Sequence, residues 1–360
     1  MSIRKEIEAL RLPEVFGGKA EDFAARRAQI AELLAQEEYG FLPDVPYTVE
    51  TEVIPSNRLL GGGTAENYVV KFTVTMNGRS HTFPLYCVVP TENRPAPAIL
   101  LINFRPGIPD EYLPAEEIAD NGFAVFSLCY NDVTHDDGDF TDGLAGLYYN
   151  GRERGLSDPG KISLWAWAAS RVIDYILTLT SIDHRNLAVA GHSRLGKTAM
   201  WTAANDPRVT MVFANESGCS GSTLARGVAE ESEHVWQICE SFPYWFCKKY
   251  QSHAHHEEEM PFDQHFLLAS IAPRRLYIGL AEGDYWTDYK SSYRAIIAAA
   301  PVYETLGCIP GCSGPDERYP LIGERFHDGY IGVHLRSGDH FLSRRDWLGF
   351  MAYYKRWMAR

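Results

Sequence analysis

The feature that most constrains the fold of this chain is an alternation of short apolar runs with helical segments between residues 98 and 335. The runs at 98–103 and 122–128 lack the polar–apolar alternation of a half-exposed strand. Runs of this kind are typical of strands buried on both faces of a parallel sheet. Further strands are predicted at 186–190, 209–214, 275–281 and 331–335, with helices at 113–121, 164–179 and from residues 194 and 344 onward. The alternation predicts an α/β architecture, with helices on both faces of a mostly parallel sheet.

The segment before this alternation has a different pattern. Helical spacing spans residues 20–38, and strand-like runs at 68–74 and 82–89 flank the turn Met76-Asn77-Gly78-Arg79, which predicts an antiparallel hairpin. A hairpin leading into such a sheet is typical of the α/β-hydrolase fold. No repeat or linker divides the chain, so we expect a single domain over 1–360. It would contain an N-terminal helical segment at 1–45 and a mostly helical insertion at 217–262 over the active site.

Composition narrows the classes of partner. A formal net charge of −13 disfavours nucleic acid and anionic membrane surfaces, which attract basic proteins. The first residues lack the apolar run of an export signal, and no apolar stretch is long enough for a membrane span. The seven scattered cysteines are therefore predicted to be reduced thiols. We expect a cytoplasmic protein whose partner is a small-molecule or oligosaccharide substrate.

Residues 187–200, LAVAGHSRLGKTAM, combine the end of a buried strand with the start of a helix. A nucleophilic serine requires a sharp strand-to-helix turn flanked by small residues, and here that serine is Ser193. Gly191 provides the first small residue, while Leu195 occupies the usual position of the second glycine and Gly196 follows one residue later. A Gly-Ser turn that merely opens a helix is the alternative, and the preceding strand favours the nucleophile.

Two cations accompany Ser193 in this turn. The helix N-terminus and Arg194 are suited to hold a developing oxyanion. Lys197, four residues after the serine, is predicted to project on the same side of the helix. Two cations beside the nucleophile favour an oxygen-rich substrate whose product is a carboxylate.

The segment GHSRLGKTA resembles the nucleophile motif of the glucuronoyl esterases, carbohydrate esterase family 15. The resemblance continues, in motif order, through residues 215–218 (NESG), 242–246 (FPYWF), 261–265 (PFDQH) and 271–274 (IAPR), and covers roughly residues 95–350. It implies an α/β-hydrolase fold, ester hydrolysis and no cofactor. Three residues depart from the family pattern: His192, Thr198 and the context of His340 in Gly-Asp-His-Phe. These departures, and the absent export signal, indicate a cytoplasmic bacterial branch with its own substrate.

A serine esterase also needs a histidine base and an acid that orients it. His340 follows the last predicted strand and agrees with the order nucleophile, acid, histidine. His334 is the competitor, but it lies inside that strand pattern. Glu216 matches the family's catalytic glutamate, whereas Asp284 ends the next sheet strand, where most α/β-hydrolases place the acid. The resemblance favours Glu216, with Asp284 as an alternative or auxiliary acid or as a helix N-cap.

The resemblance further implies that Lys197, Glu240 and Trp286 contact carbohydrate. Residues 103–107, which follow a sheet strand, are a candidate second oxyanion donor. No metal site is predicted, because residues 253–259, residues 134–139 and the cysteine pair 308 and 312 lack the spacing of metal ligands.

The predicted function is hydrolysis of a carbohydrate ester, most specifically a glucuronoyl ester, through an acyl-enzyme. An acetylxylan or oligosaccharide deacetylase is the alternative within the esterase class. A non-catalytic carbohydrate-binding relative is the alternative from another class.

Overall fold

A ten-stranded sheet organises the molecule in the computed structural model. The structure describes residues 2–92 and 94–358, with only the backbone of 56–60. The strand order is β1-β2-β3-β5-β4-β6-β7-β8-β10-β9. The six strands from β5 to β10 in this order pair in parallel, while β1, β2 and β3 on one side and β9 on the other are antiparallel.

The strands are β1 Tyr47–Leu60, β2 Ala65–Met76, β3 Arg79–Pro90, β4 Ala96–Asn103, β5 Ala124–Cys129, β6 Ile182–His192, β7 Met211–Asn215, β8 Arg275–Ala281, β9 Arg325–Phe326 and β10 Ile331–Arg336. The α-helices are α1 Ile3–Ala9, α2 Phe23–Leu34, α3 Ala115–Asp120, α4 Tyr130–Val133, α5 Gly143–Tyr149, α6 Lys161–Ile176, α7 Arg194–Asn205, α8 Val235–Ser241, α9 His265–Ser270, α10 Tyr289–Thr305 and α11 Arg344–Trp357.

The central strands are buried on both faces, as their unalternated apolar runs predict. In β4, Ile99 and Leu101 belong to a cluster with α3 and α11, whereas Leu100 and Ile102 belong to the larger cluster that includes α6 and α7. Successive side chains of a strand point to opposite faces, so each strand contributes to two cores. The predicted α/β-hydrolase architecture, with helices on both faces of a mostly parallel sheet, is confirmed.

The N-terminal part agrees with the prediction and extends it. The hairpin forms between β2 and β3 around the Asn77-Gly78 turn, where both residues have positive φ. The predicted helix at 20–38 begins as a 3-10 turn, continues as α2 and ends in a π-helical turn before Gly40. Strand β1, which the sequence pattern did not reveal, pairs with β2 and makes this region a three-stranded antiparallel unit.

The prediction for residues 217–262 is wrong in its secondary structure. Only α8 and two 3-10 turns, Lys248–His253 and Glu257–Glu259, are helical in this segment. Buried polar contacts hold the rest: the Asp263 carboxylate pairs with Arg226 and accepts the backbone N–H groups of Ala225 and Arg226. Such a buried ion pair organises loops without helical periodicity.

Two further sequence expectations are addressed by the structure. All seven cysteines are free thiols. Within residues 2–92 and 94–358, no helix combines the length and apolarity that a bilayer-spanning segment requires.

Candidate active site

The turn at Ser193 has the geometry of a nucleophile elbow. Strand β6 ends at His192, α7 begins at Arg194, and Ser193 between them has φ +56° and ψ −129°. At Gly191 a β-carbon would lie 2.0 Å from the carbonyl oxygen of Leu195, so only glycine allows this close approach. At Gly196 it would lie 3.0 Å from the β-carbon of Ser217. The displaced second glycine therefore still allows α7 to pack closely against the segment after β7.

Parallel strands bring the other predicted residues to the same edge. Glu216 follows β7, Asp284 follows β8, and His340 lies in the loop after β10. The carboxyl ends of parallel strands meet at one edge of the sheet, which is where Ser193 emerges from β6.

His340 contacts both candidate acids through one atom. Its Nδ1 donates a hydrogen bond to Oδ2 of Asp284 at 2.6 Å and lies 3.4 Å from Oε2 of Glu216. Asp284 also accepts the hydroxyl of Thr287 at 2.7 Å and caps the short turn at Tyr285–Thr287. The expected N-cap role and the acid role therefore coexist in Asp284. The geometry favours Asp284 as the hydrogen-bonded acid, contrary to the preference for Glu216 that the resemblance indicated.

Glu216 has other partners. It is fully buried, with φ +45°; its carboxylate forms an ion pair with Arg336 and accepts the backbone N–H of Phe341 at 2.9 Å. Arg336 in turn donates from Nε to the carboxylate of Asp346 at 2.9 Å. Glu216 thus connects the loop that carries His340 to a buried charged cluster.

The ionisation states follow from burial and these contacts. Burial opposes protonation of His340, but its bonds to Asp284 and Glu216 outweigh burial and raise its pKa to about 9. Burial raises the pKa of Glu216 to about 7, against the opposing effects of His340 and Arg336. Burial also tends to raise the pKa of Asp284, but the hydrogen bond from His340 outweighs burial and holds the pKa of Asp284 below its usual value.

Ser193 and His340 share a cavity of about 200 Å³. Its lining combines the proposed catalytic groups with polar and aromatic side chains: Ser193, Arg194, Lys197, Glu216, Ser217, Glu233, Phe242, Trp245, Trp286, Thr287 and His340. Ser193 and His340 both belong to the described part of the chain, and Ser193 Oγ forms no hydrogen bond with His340 there. Catalytic hydrogen bonds are often long without substrate, so this gap is compatible with a nucleophile–base pair.

Arg194 is held beside Ser193 by an acidic and aromatic cage. Its guanidinium forms an ion pair with Asp136 and lies 4.5 Å from the ring centre of Trp245. Asp136 also accepts the indole N–H of Trp245 at 2.6 Å and the hydroxyl of Tyr130 at 3.0 Å. Arg194 is therefore fixed at the cavity instead of solvated, as an oxyanion-binding residue requires.

The predicted carbohydrate contacts divide into two groups. Lys197 is buried, and its ammonium group forms no hydrogen bond or ion pair with a residue that the structure describes. Burial lowers its pKa, against the charge of Glu233. Trp286 lines the cavity and is 47% exposed, so it is not a core residue. Lys197 and Trp286 are thus available to a ligand.

The structure does not bring Glu240 to the cavity. Glu240 is an exposed residue near the end of α8 and does not line the cavity. Glu233, seven residues earlier, occupies the cavity wall instead, where its backbone N–H donates to the Trp286 carbonyl at 3.0 Å. Nothing in the local pattern around Glu233 distinguished it from the neighbouring acidic residues 230 and 231.

Two other candidates are excluded by their contacts. His334 is buried in β10, where it bonds to the Tyr277 hydroxyl and Asp346, outside the cavity. Residues 103–107 do not line the cavity, and the backbone N–H of Phe104 is taken by the side chain of Asn103 at 2.8 Å. The N–H of Phe104 is therefore not available as an oxyanion donor.

Three side chains at the site could in principle hold a metal ion. His192, Glu216 and His340 offer ligand atoms within 4.8 Å of one another. However, the Asn215 amide donates to Nδ1 of His192 at 3.0 Å, and Nδ1 of His340 bonds to Asp284. The two Nδ1 atoms are engaged in hydrogen bonds, and because His192 accepts at Nδ1 its Nε2 carries the proton and offers no lone pair, so the geometry fits a hydrogen-bond network better than a metal centre. In the predicted solvated loop, His253 pairs with Glu37 at 3.0 Å.

Comparison with known protein families gives one family match at residues 72–307, described as "Glucuronyl esterase, fungi". Carbohydrate esterase MZ0003, from an unknown prokaryotic organism, is 35% identical over 235 residues, which cover 64% of this chain and 53% of the relative. The 4-O-methyl-glucuronoyl methylesterase 1 of Phanerochaete chrysosporium is 31% identical over 327 residues, covering 85% of this chain and 65% of the relative. The chain therefore spans between about half and two thirds of these curated relatives.

A solved structure resembles the chain over nearly its whole length. The glucuronoyl esterase from Solibacter usitatus superposes with a TM-score of 0.86 at 29% identity, covering 96% of this chain and 97% of that one. The overall fold described above thus has a counterpart in a solved structure.

Proposed function

Since this chain belongs to the glucuronoyl esterase family, we propose that it is a serine carboxylic-ester hydrolase acting on a uronic acid ester of a carbohydrate. One observation carries the proposal: a single cavity of about 200 Å³ is lined by Ser193, His340, Arg194 and the buried Lys197, whose ammonium group has no hydrogen-bond or ion-pair partner among the described residues. The relatives named as glucuronoyl methylesterases support the same ester class. No cofactor is part of the proposed chemistry.

The proposed reaction proceeds by acyl transfer. His340 removes the proton from Ser193 Oγ as that oxygen attacks the ester carbonyl, and the Asp284 carboxylate stabilises the resulting imidazolium. Arg194 and the N-terminus of α7 stabilise the negative oxygen of the tetrahedral intermediate. His340 then gives the proton to the leaving alcohol, and a water molecule, activated in the same way, releases the uronic acid and restores Ser193.

The cavity wall favours a uronate over an acetate as the acyl group. Lys197 and Glu233 are buried polar side chains of the cavity wall; Lys197 has no hydrogen-bond or ion-pair partner among the described residues, and leaving such a group unpaired costs free energy. A uronic acid ring offers hydroxyl groups to both, whereas an acetyl group offers none. Trp286 provides an exposed aromatic face for the apolar side of a sugar ring.

Two assays test this proposal. One measures the release of benzyl alcohol from benzyl glucuronate, and the other measures the release of acetate from acetylated xylooligosaccharides. We expect uronate turnover by the wild type and none by Ser193→Ala. Ser252→Ala, which removes an exposed hydroxyl bonded to the Lys249 carbonyl, is the matched control and retains activity. Acetate release alone would identify a deacetylase. If the chain binds sugars, does not turn over either ester and is not labelled at Ser193 by a fluorophosphonate, it is a non-catalytic relative.

Two finer predictions extend this proposal. A cytoplasmic location is supported by the seven free cysteines, six of which are buried. Membership of a bacterial branch with its own substrate is supported by His192 and by the Gly-Asp-His-Phe context of His340.

A further inference from the structure

We propose that Asn215 is a positioning residue that sets the separation of Ser193 from His340. The inference rests on the proposed function, because it assigns these two residues as nucleophile and base. Asn215 is the last residue of β7, directly before Glu216, and is fully buried. It contacts the segments that carry both catalytic groups.

On one side, Asn215 binds the nucleophile elbow through two atoms. Its backbone carbonyl accepts the N–H of Ser193 at 2.9 Å, and its side-chain Nδ2 donates to Nδ1 of His192 at 3.0 Å. The residue that carries the nucleophile and the residue before it are therefore both fixed to the end of β7.

On the other side, Asn215 binds the loop that carries the base. The same Nδ2 donates to the carbonyl of Phe341, the residue after His340, at 3.1 Å. Arg336 donates to this carbonyl as well, while the N–H of Phe341 donates to Glu216 at 2.9 Å. Both backbone polar groups of Phe341 are thus held by side chains from neighbouring strand ends, so His340 follows their position.

These contacts define the orientation of the amide and the tautomer of His192. A carbonyl can only accept, so the amide nitrogen of Asn215 must face Phe341. His192 then accepts at Nδ1 and carries its proton on Nε2, with a pKa lowered by burial to about 3. Its neutral ring lies against His340, with ring centres 4.4 Å apart. Asn215 thereby fixes the ring that packs against the base.

The space around Asn215 supports a strict geometric role. A β-carbon at Gly279 of β8 would lie 2.2 Å from Oδ1 of Asn215, so the neighbouring strand allows the amide only because it has glycine there. Oδ1 itself has no hydrogen-bond partner in the part of the chain that the structure describes. The side chain is therefore held by its two donor contacts and by steric confinement.

The test compares Asn215→Leu and Asn215→Ser with wild type and with Asn186→Leu. Asn186 is a buried asparagine of β6, in the half of that strand remote from Ser193, and donates to Asp183 at 2.8 Å. The readouts are the rate of fluorophosphonate labelling, kcat and KM for benzyl glucuronate, and thermal unfolding by circular dichroism. Because a displacement of about 1 Å can cost about 10²-fold in rate, we expect both Asn215 variants to lose at least about tenfold in labelling and kcat. KM of the Asn215 variants should stay within about twofold of the wild-type value, and so should the labelling rate, kcat and KM of the Asn186→Leu control.

The outcomes separate the inference from the function on which it rests. A folded Asn215 variant that labels at the wild-type rate would overturn the inference, as would failure of both variants to fold while Asn186→Leu folds. Wild-type labelling without uronate turnover would reject the ester assignment only, and slower labelling of the Asn215 variants would still support the positioning role. A wild type that does not label would overturn both.

Discussion

Asp284 Oδ2 lies 2.6 Å from Nδ1 of His340, while the nearest oxygen of Glu216 is 3.4 Å from that atom. An amide at the shorter contact would favour the wrong imidazole tautomer, as it does in the Ser-His-Asp triads of serine hydrolases. Asp284→Asn should therefore lower kcat by about 10³- to 10⁴-fold. Glu216→Gln keeps the contacts of Asp284 and should cost about 10- to 100-fold. Stopped assays on benzyl glucuronate measure both, and a larger loss for Glu216→Gln would reassign the triad acid.

The pH dependence of kcat/KM follows from the two acids beside His340. A general base must be neutral, and the pKa of His340 is raised to about 9. We therefore expect kcat/KM to rise with pH until about 9. Removing the negative charge of Glu216 by Glu216→Gln lowers the pKa of His340, so the rising limb should move to lower pH. A profile already flat at pH 6 in the wild type would contradict this prediction.

The parts of this molecule that the sequence predicted are those with a local signal. Buried parallel strands have unalternated apolar runs, and the elbow has a strand, a glycine, a serine and a helix in direct succession. Strand β1 has no such signal, because it is an edge strand with Glu50, Glu52 and Pro55 in its middle. Antiparallel pairing with the next strand β2, across the short connection at 61–64, forms it, and strand formation depends on such pairing and packing more than on an intrinsic preference of the segment.

The site shows the same limit at a finer scale. The order of Ser193, Glu216, Asp284 and His340 follows from the topology, because each follows a strand whose carboxyl end lies at one edge. The choice between the two acids depends on a difference of less than 1 Å between their distances to Nδ1 of His340, and the spacing of residues along the sequence cannot predict such a difference. Glu233 was missed because a loop contact with the Trp286 carbonyl places it.

Asp136 should act on catalysis through Arg194. Its carboxylate holds the guanidinium and also accepts the indole N–H of Trp245 at 2.6 Å. In Asp136→Asn the ion pair is lost and Arg194 is free to leave the position of the oxyanion, whose stabilisation is worth about 10²- to 10³-fold in kcat. We expect a fall of about tenfold or more in kcat with little change in KM, measured on benzyl glucuronate. Asp158, which forms an ion pair with Arg152 and does not line the cavity, provides the matched control: Asp158→Asn should leave kcat unchanged.

Lys197 should affect stability and binding in opposite directions. It is a buried cation without an ion-pair partner in the described structure, and burial of such a charge destabilises the fold. Lys197→Met keeps most of the side-chain volume and removes the charge, so it should raise the melting temperature while increasing KM for the uronate ester by about tenfold or more. Calorimetry and steady-state kinetics on the same preparation measure both effects. A variant that is both less stable and fully active would refute the assignment.

Glu38 should make stability depend on pH. It is fully buried, burial raises its pKa well above 4.5, and its Oε1 accepts the side-chain amide of Gln264 at 2.9 Å. Glu38 Oε2 and Gln264 Oε1 have no hydrogen-bond partner among the residues described. The folded chain therefore retains a proton that the unfolded chain releases above pH 4.5. The contribution of Glu38 to the free energy of unfolding thus falls as pH rises from 4.5 to the folded-state pKa, by about 1.4 kcal/mol per pH unit.

Glu38→Gln tests this prediction, because it has no proton to lose and offers an N–H donor in place of Oε2. Its free energy of unfolding relative to wild type should increase as pH rises from 5 towards the folded-state pKa of Glu38, measured by urea denaturation between pH 5 and pH 8. A difference that stays constant over this range would show that Glu38 is ionised in the folded chain.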